Sequence, residues 1–142
     1  MKENRYEIEI QATPEEIWAV LTDLDKYADW NPLIYRAEGK IAPGERVNIS
    51  ARAASNDIDL RCSVVKVEPK REFSWKFHVI LPLLFRGEHI FRVEPIDEHR
   101  VRFIDREIFH GLLVPLQARD LETNGKAGMI AMGEALRRRV EH

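Results

Sequence analysis

His89 is the residue of this sequence whose position could support chemistry. It lies in "GEHIFRVEP" (residues 87–95), where alternation predicts a β-strand and puts His89 on the same face as Phe91. The next predicted strand, "RVRFIDREIF", carries Asp105 and Glu107 on its more apolar face, which we take to point inward. Because antiparallel partners share a face and the joining turn is short, we expect His89 to lie opposite Asp105 or Glu107.

A histidine beside a carboxylate in an apolar space suits several roles. Burying the two groups is expensive unless they pair with each other or with a bound molecule. The carboxylate would raise the pKa of His89 and hold one tautomer, which leaves the second ring nitrogen for a polar group of a guest. The pair could therefore be a structural contact, an anchor for a ligand, or a catalytic group in which His89 is general acid or base on an enolisable carbonyl compound. In that last role either Asp105 or Glu107 would assist His89.

The other histidines and the lone cysteine indicate no further site. His78 is out of phase with the aromatic residues of its strand, His99 lies in a turn, and His110 falls beyond its strand. His142 is terminal. No two of them have the spacing of metal ligands and Cys62 lacks a partner, so we predict no metal and no cofactor. A single cysteine also excludes an intramolecular disulfide and fits a cytoplasmic location.

Charge and hydropathy limit the classes of partner. The 142 residues include 22 basic and 24 acidic side chains, and the net charge of -2 gives no reason to expect a nucleic-acid partner. The N-terminal segment has no apolar run of signal-peptide length, and the longest apolar stretch, "VILPLLF" (79–85), is too short to span a bilayer. We therefore expect one cytoplasmic domain over residues 1–142, without stable membrane insertion.

The hydrophobic periodicity predicts an α+β chain. An alternating strand at 5–12 precedes a helix at 13–23 and a short helical turn at 26–32. Six strand-like segments follow, and the pattern is helical again after Pro115. Short loops between the strands imply an antiparallel meander, so we predict a curved seven-stranded sheet wrapped around the long C-terminal helix. A curved sheet that grips one helix often encloses an internal cavity for a small molecule.

The inward strand faces supply most of the predicted cavity lining. Trp75 is in phase with Phe77, and it suits a cavity wall and a filled core equally well. Glycines at 125, 128 and 133 of the last helix would either allow close packing or leave room for a guest. The predicted ligand-binding residues are Trp75, Phe77, His89, Phe91, Phe103, Asp105, Glu107 and Met132.

An apolar loop joins two of the predicted strands. The stretch "LPLLF" (81–85) would expose Leu83, Leu84 and Phe85 unless it folds over another surface. It could be a lid at the cavity mouth, a homodimer contact or a tip that touches a membrane, and the sequence leaves all three open.

Three parts of the chain resemble the START-like or SRPBCC superfamily of helix-grip proteins. They are "ATPEEIWAVLTDLDKYADWNP", "GEHIFRVEP" followed by "VRFIDREIFHG", and "MGEALRRRVE" near the C-terminus. The first and third look like the bacterial polyketide cyclase/dehydrase-like branch. The resemblance covers nearly the whole chain and implies a cavity for a hydrophobic or amphipathic molecule. It does not imply one chemistry, because the superfamily includes lipid carriers, hormone receptors, aromatases, cyclases and chaperone activators.

Three functional hypotheses follow from the residues and the resemblance. In the first, the protein binds a small hydrophobic or amphipathic molecule of lipid, polyketide or aromatic type. In the second, it is an enzyme of cyclase or dehydratase type with His89 as general acid or base. In the third, it acts through its surface, as chaperone activators do, and a cavity filled by side chains would favour this hypothesis.

Overall fold

Seven strands form one antiparallel sheet in the computed structural model, which describes residues 1–53 and 56–141. Ser55, part of a predicted turn, and His142 lie outside these residues. The strands are β1 (Lys2–Ile10), β2 (Ile34–Gly39), β3 (Arg46–Ala53), β4 (Asn56–Glu68), β5 (Glu72–His78), β6 (Arg86–Asp97) and β7 (Arg100–His110). Their order in the sheet is β1-β7-β6-β5-β4-β3-β2. Strands β2 to β7 are therefore the predicted meander, and β1 pairs with β7.

The first helix, α1 (Pro14–Thr22), begins where the sequence predicts it. The Thr13 hydroxyl accepts a hydrogen bond from the Glu16 backbone N–H, and the Thr13 backbone N–H donates to the Glu16 carboxylate, both at 3.2 Å. This reciprocal capping box satisfies donors that have no partner inside the helix. A 3₁₀ turn (Leu24–Lys26) and a short helix α2 (Tyr27–Trp30) follow and lead the chain into β2.

The C-terminal helix differs from the prediction in its interior. It consists of α3 (Val114–Asp120), a π-helical segment (Leu121–Gly125) and α4 (Lys126–Val140). The buried Asn4 side chain of β1 donates to the Leu121 carbonyl oxygen at 2.8 Å, inside the π-helical segment. Strand β1 therefore supports the helix at the point where its geometry changes, and π-helical segments are frequent at functional sites.

Two buried apolar clusters lie between the sheet and the helices. The larger cluster joins α1, α2 and α4 to the inner sheet face and contains the stacked rings of Phe73 and Phe91, whose centroids are 4.8 Å apart. The smaller cluster consists of Phe85, Phe109, Val114 and Leu121. The predicted α+β helix-grip architecture is thus confirmed, with one long helix lying against the inner face of the sheet.

Two glycines of α4 allow close packing of the helix and do not leave space for a guest. A Cβ at Gly133 would lie 2.7 Å from the ring of Tyr6, and one at Gly128 would lie 2.8 Å from the Leu33 side chain. Real Cβ atoms do not approach that closely, so glycine is what lets α4 lie against these side chains. At Gly125, in the π-helical segment, the nearest atom would be the Asn4 amide nitrogen at 3.4 Å.

Candidate ligand cavity

A cavity of about 420 Å³ lies between the inner sheet face and residues 113–125. Residues of both apolar clusters line it, with Trp75 on the side of the larger cluster and Phe85 on the side of the smaller one. Its mouth is marked by the lining residues that are exposed, namely Arg52, Asn56, Asp57, Ile80 and Gln117. The size and the mainly apolar wall are typical of small-molecule sites.

His89 reaches this cavity from β6 and is held by Asp105 of β7. Its direct cross-strand partner is Glu107, yet its hydrogen bond runs diagonally, with 2.6 Å between Nε2 and the Asp105 Oδ1. His89 is 4% exposed and Asp105 is fully buried. The imidazole also stacks on the Phe91 ring, with centroids 4.0 Å apart. Of the two expected partners, Glu107 therefore lies opposite His89 in the strand register, and Asp105 forms the hydrogen bond with it.

The charges around His89 change its proton affinity. Burial by itself would lower the pKa of His89, but the charges of Asp105 and Glu107 and the hydrogen bond that His89 donates to Asp105 outweigh it, so the pKa is raised. Burial raises the pKa of Glu107, the charge of Asp105 adds to that rise, and the charge of His89 opposes it. Each of the two groups therefore holds its proton more tightly than it would in water.

Several polar atoms near the cavity floor lack hydrogen-bond partners within the described part of the chain. The Trp75 Nε1 and the Asp105 Oδ2 are buried and unpaired. Neither the His89 Nδ1 nor the Glu107 carboxyl has a hydrogen bond to a described residue, although both side chains line the cavity. Buried polar groups are normally paired, so the unpaired Trp75 Nε1, His89 Nδ1 and Glu107 carboxyl on the cavity wall point to a guest or to ordered water.

Four of the eight predicted site residues line the cavity and four do not. Trp75, Phe77, His89 and Glu107 line the cavity. Asp105 lies behind His89 and contacts the cavity only through it. The remaining predicted residues are fully buried in the larger apolar cluster and do not line the cavity; they are Phe91, Phe103 and Met132. Alternation marked all the strand residues as inward, but it does not show which inward positions the helices cover.

The sequence did not indicate the residues that form the cavity mouth. Arg52 lies near the end of β3, Asn56 and Asp57 begin β4, and Gln117 lies on α3. A sequence pattern does not show which strand ends lie beside which helix, so only the three-dimensional arrangement brings these four residues together. Gly125, which lines the cavity from the π-helical segment, did carry a signal, because a small residue on a core helix leaves space.

Other chemistry finds little support within the described residues. No group of three His, Cys, Asp or Glu side chains there is placed to hold a metal ion. Cys62 is buried, and burial raises the pKa of its thiol to about 12, so it is a poor nucleophile. No helix in the described ranges is both long and apolar enough to cross a bilayer.

Solved structures share this fold over nearly the whole chain. A protein from Mesorhizobium loti is 22% identical, with a TM-score of 0.78 over 99% of this chain and 100% of that one. The Zhui aromatase/cyclase from Streptomyces sp. R1128 is 18% identical, with a TM-score of 0.79 over 98% of this chain and 93% of that one. A START superfamily protein from Mycobacterium smegmatis is 16% identical, with a TM-score of 0.78 over 97% and 96% of the two chains. Identities this low show the fold and not the activity.

Sequence comparison identifies the family. No curated protein matches the sequence as a relative. The family model described as polyketide cyclase / dehydrase and lipid transport matches residues 1–141. Together with the seven-stranded helix-grip fold, this match confirms the resemblance seen in the sequence motifs. The chain belongs to the polyketide cyclase/dehydrase and lipid transport family, and it shares its fold with a START superfamily protein.

Proposed function

We propose that the protein binds a small amphipathic molecule, with its apolar part in the cavity and an acceptor oxygen at His89 and Glu107. The observation that carries this proposal is the apolar cavity of about 420 Å³ whose wall includes the unpaired Trp75 Nε1, His89 Nδ1 and Glu107 carboxyl. Such a site matches the usual design of small-molecule pockets, in which a few polar groups orient a mostly apolar guest.

The charges of the site favour an acceptor on the guest. In its protonated form, which the raised pKa favours, His89 offers an N–H at Nδ1 while Nε2 donates to Asp105. Glu107 is biased toward its protonated form and then offers an O–H. Two donors on an apolar wall select a carbonyl, phenolate or carboxylate oxygen over an amine. The class of guest is therefore a ketone, phenol or acid with a hydrophobic body.

Catalysis is the second candidate, and the open Nδ1 of His89 favours it. A histidine with raised pKa, fixed by Asp105 and facing a cavity, could act as a general acid toward a carbonyl oxygen of the guest. This is the arrangement that a cyclase or dehydratase reaction on an enolisable carbonyl compound would use. The surface-acting, chaperone-activator hypothesis gains nothing from the described residues, because the cavity is not filled by side chains.

Native mass spectrometry of protein purified from its own host tests the binding proposal first. A discrete extra mass that disappears on denaturation is expected, and its value gives the class of the guest. Binding of the anionic dye 1-anilinonaphthalene-8-sulfonate then provides a titration. Ala51→Leu, which adds side-chain volume to the cavity wall, should reduce dye affinity strongly, and His89→Gln should reduce it about tenfold through loss of a charged hydrogen bond.

His78→Gln is the matched control, because His78 is an exposed histidine on the outer side of β5. Dye binding that is the same in His78→Gln, His89→Gln and Ala51→Leu would show that the dye occupies another surface, and the proposal would fail. With an identified guest, retained affinity but lost turnover in His89→Gln would establish the enzyme instead of the carrier.

A further inference from the structure

Five large apolar side chains are exposed at one end of the molecule, beside the cavity mouth. Three belong to the loop between β5 and β6, one belongs to the turn before α3, and one belongs to the first turn of α3. They are Ile80, Leu81, Leu83, Leu112 and Leu116, which are 57% to 82% exposed. We call these five residues the apolar rim. Monomeric proteins seldom expose so many large apolar side chains together unless the surface binds something.

The backbone holds the apolar rim outward instead of over the cavity. The Leu112 and Leu113 N–H groups donate to the Leu83 and Leu84 carbonyl oxygens at 3.1 and 2.9 Å, so the two segments form one unit. Gly111 makes this approach feasible, because a Cβ there would lie 2.3 Å from the Leu84 carbonyl oxygen. Beneath the unit lies the smaller buried cluster. The rim is therefore a supported surface and not a loose lid.

The backbone conformation of Ile80 indicates that the surrounding structure holds this side chain in its exposed position. Its φ of 65° is a left-handed conformation that β-branched residues rarely adopt, and the residue is 73% exposed. Strain of this kind persists only where the surrounding structure enforces it, and it concentrates at functional positions. Ile80 also lines the cavity mouth, so it connects the rim to the cavity.

A basic groove adjoins the rim on the outer sheet face. Arg86 begins β6 directly after the loop, and its Nη1 donates to the Pro82 carbonyl oxygen at 3.2 Å. Within the described residues the groove has one acidic member, Glu88. Its basic members are Arg46, Arg61, Lys76, His78, Arg86 and His110.

The cations of the groove are unpaired, unlike others of the sheet. Among the described residues, none of Arg46, Arg61 and Lys76 has an ion pair, nor has Arg86. By contrast, Arg92 pairs with Glu72, and Arg106 pairs with Glu3 at 3.0 Å. A group of cations without ion-pair partners attracts anions, and this group lies next to the apolar rim.

We propose that the apolar rim and the basic groove dock the protein on an anionic lipid bilayer, with the cavity mouth at the bilayer surface. A bilayer offers both complements within a few ångströms, since anionic headgroups border an apolar interior. A second copy of the chain fits less well, because a two-fold contact through this face would bring each basic groove toward its own copy. The docking proposal does not require a bound ligand. A role of docking in exchanging a guest with the bilayer rests on the proposed function.

Co-sedimentation with vesicles tests the docking. The protein should bind vesicles of phosphatidylcholine mixed with phosphatidylglycerol, bind pure phosphatidylcholine much more weakly, and lose binding as salt is raised. Leu83→Ser should lower partitioning about tenfold or more through the lost apolar burial. Arg61→Gln and Lys76→Gln should each lower it about fivefold. Val65→Ser, at an exposed apolar position outside the rim and the groove lining, and Arg138→Gln, at an exposed position of α4, are the matched controls and should leave binding unchanged.

Each alternative result overturns the proposal. Absence of vesicle binding refutes docking, as does binding that Leu83→Ser and Arg61→Gln leave unchanged. A concentration-dependent dimer in sedimentation velocity that Leu83→Ser abolishes, without vesicle binding, assigns the rim to a second copy. Titration with 1-anilinonaphthalene-8-sulfonate without vesicles separates the two proposals, because Arg61→Gln should not affect cavity binding and His89→Gln should not affect docking.

Discussion

The two ends of the inner sheet face carry similar residues and are filled differently. At one end Phe73, Phe91 and Phe103 are fully buried and packed under α1 and α4. At the other end Phe77, His89 and Glu107 face an open cavity. The chain thus continues one inward-facing aromatic row from a solid core into a binding space.

The difference arises in the helices and not in the sheet. Over the solid end, α4 contributes Met132, Leu136 and Val140 to the larger cluster. At the cavity end, the π-helical segment of the C-terminal helix lies over the sheet, and its Gly125 lines the cavity. A sheet position therefore becomes core or cavity wall according to the helical residue above it, which no strand pattern reveals.

Replacing one phenylalanine at each end should give the largest contrast. Phe103→Ala is expected to lower the free energy of unfolding by about 3–5 kcal/mol, because it removes a ring from a fully packed site. Phe77→Ala removes a half-buried ring from the cavity wall and should cost no more than about 2 kcal/mol, while weakening ligand binding. Urea unfolding measures both variants. Equal losses would mean that the two ends are equally packed and that the comparison is wrong.

Two glycines of the C-terminal helix provide a smaller contrast. Gly133→Ala should lower stability by about 1–3 kcal/mol, because the added methyl group would meet the ring of Tyr6 at 2.7 Å. Gly125→Ala has its nearest contact at 3.4 Å and should be neutral or stabilising by up to about 1 kcal/mol, since alanine favours a helix. Thermal unfolding of the two variants checks this. A destabilised Gly125→Ala would indicate that the helix is as tightly packed at the cavity as over the core.

The pH dependence of stability should show the smallest effect, confined to the cavity end. The pKa of His89 is raised from its ordinary value of 6.5 and that of Glu107 from 4.5, so each group binds its proton more tightly in the folded chain. Their contributions are complete below the ordinary values and decline as pH rises through the raised ones, by at most about 1.4 kcal/mol per pH unit for each group.

Variants separate these two contributions. His89→Gln should remove the decline that begins above pH 6.5, and Glu107→Gln the decline that begins above pH 4.5. Denaturant titrations of the wild type and both variants from pH 5 to 8 measure the slopes, with His78→Gln as the control. Parallel curves for all four proteins would show that neither proton is held more tightly on folding.

Much of the arrangement could be predicted from the sequence, and the limits are physical. Strand alternation placed Trp75, His89 and Glu107 on the inner face, because side-chain direction follows from the backbone alone. Alternation could not predict that His89 would lie opposite Glu107 and hydrogen-bond to Asp105. That register depends on a shift between Pro95 and Asp97, which alternation does not indicate. The roles of these residues toward a ligand stay predictions.

The π-helical segment has a consequence for how this protein could diversify. Its five residues amount to a single-residue insertion in an otherwise regular helix, held in place by the Asn4 amide. Losing one residue there would rotate α3 by about 100° relative to α4. Gln117 and Leu113 would turn away from the cavity mouth while the sheet and α4 kept their positions. A one-codon deletion could thus redefine which molecules enter, without rebuilding the scaffold.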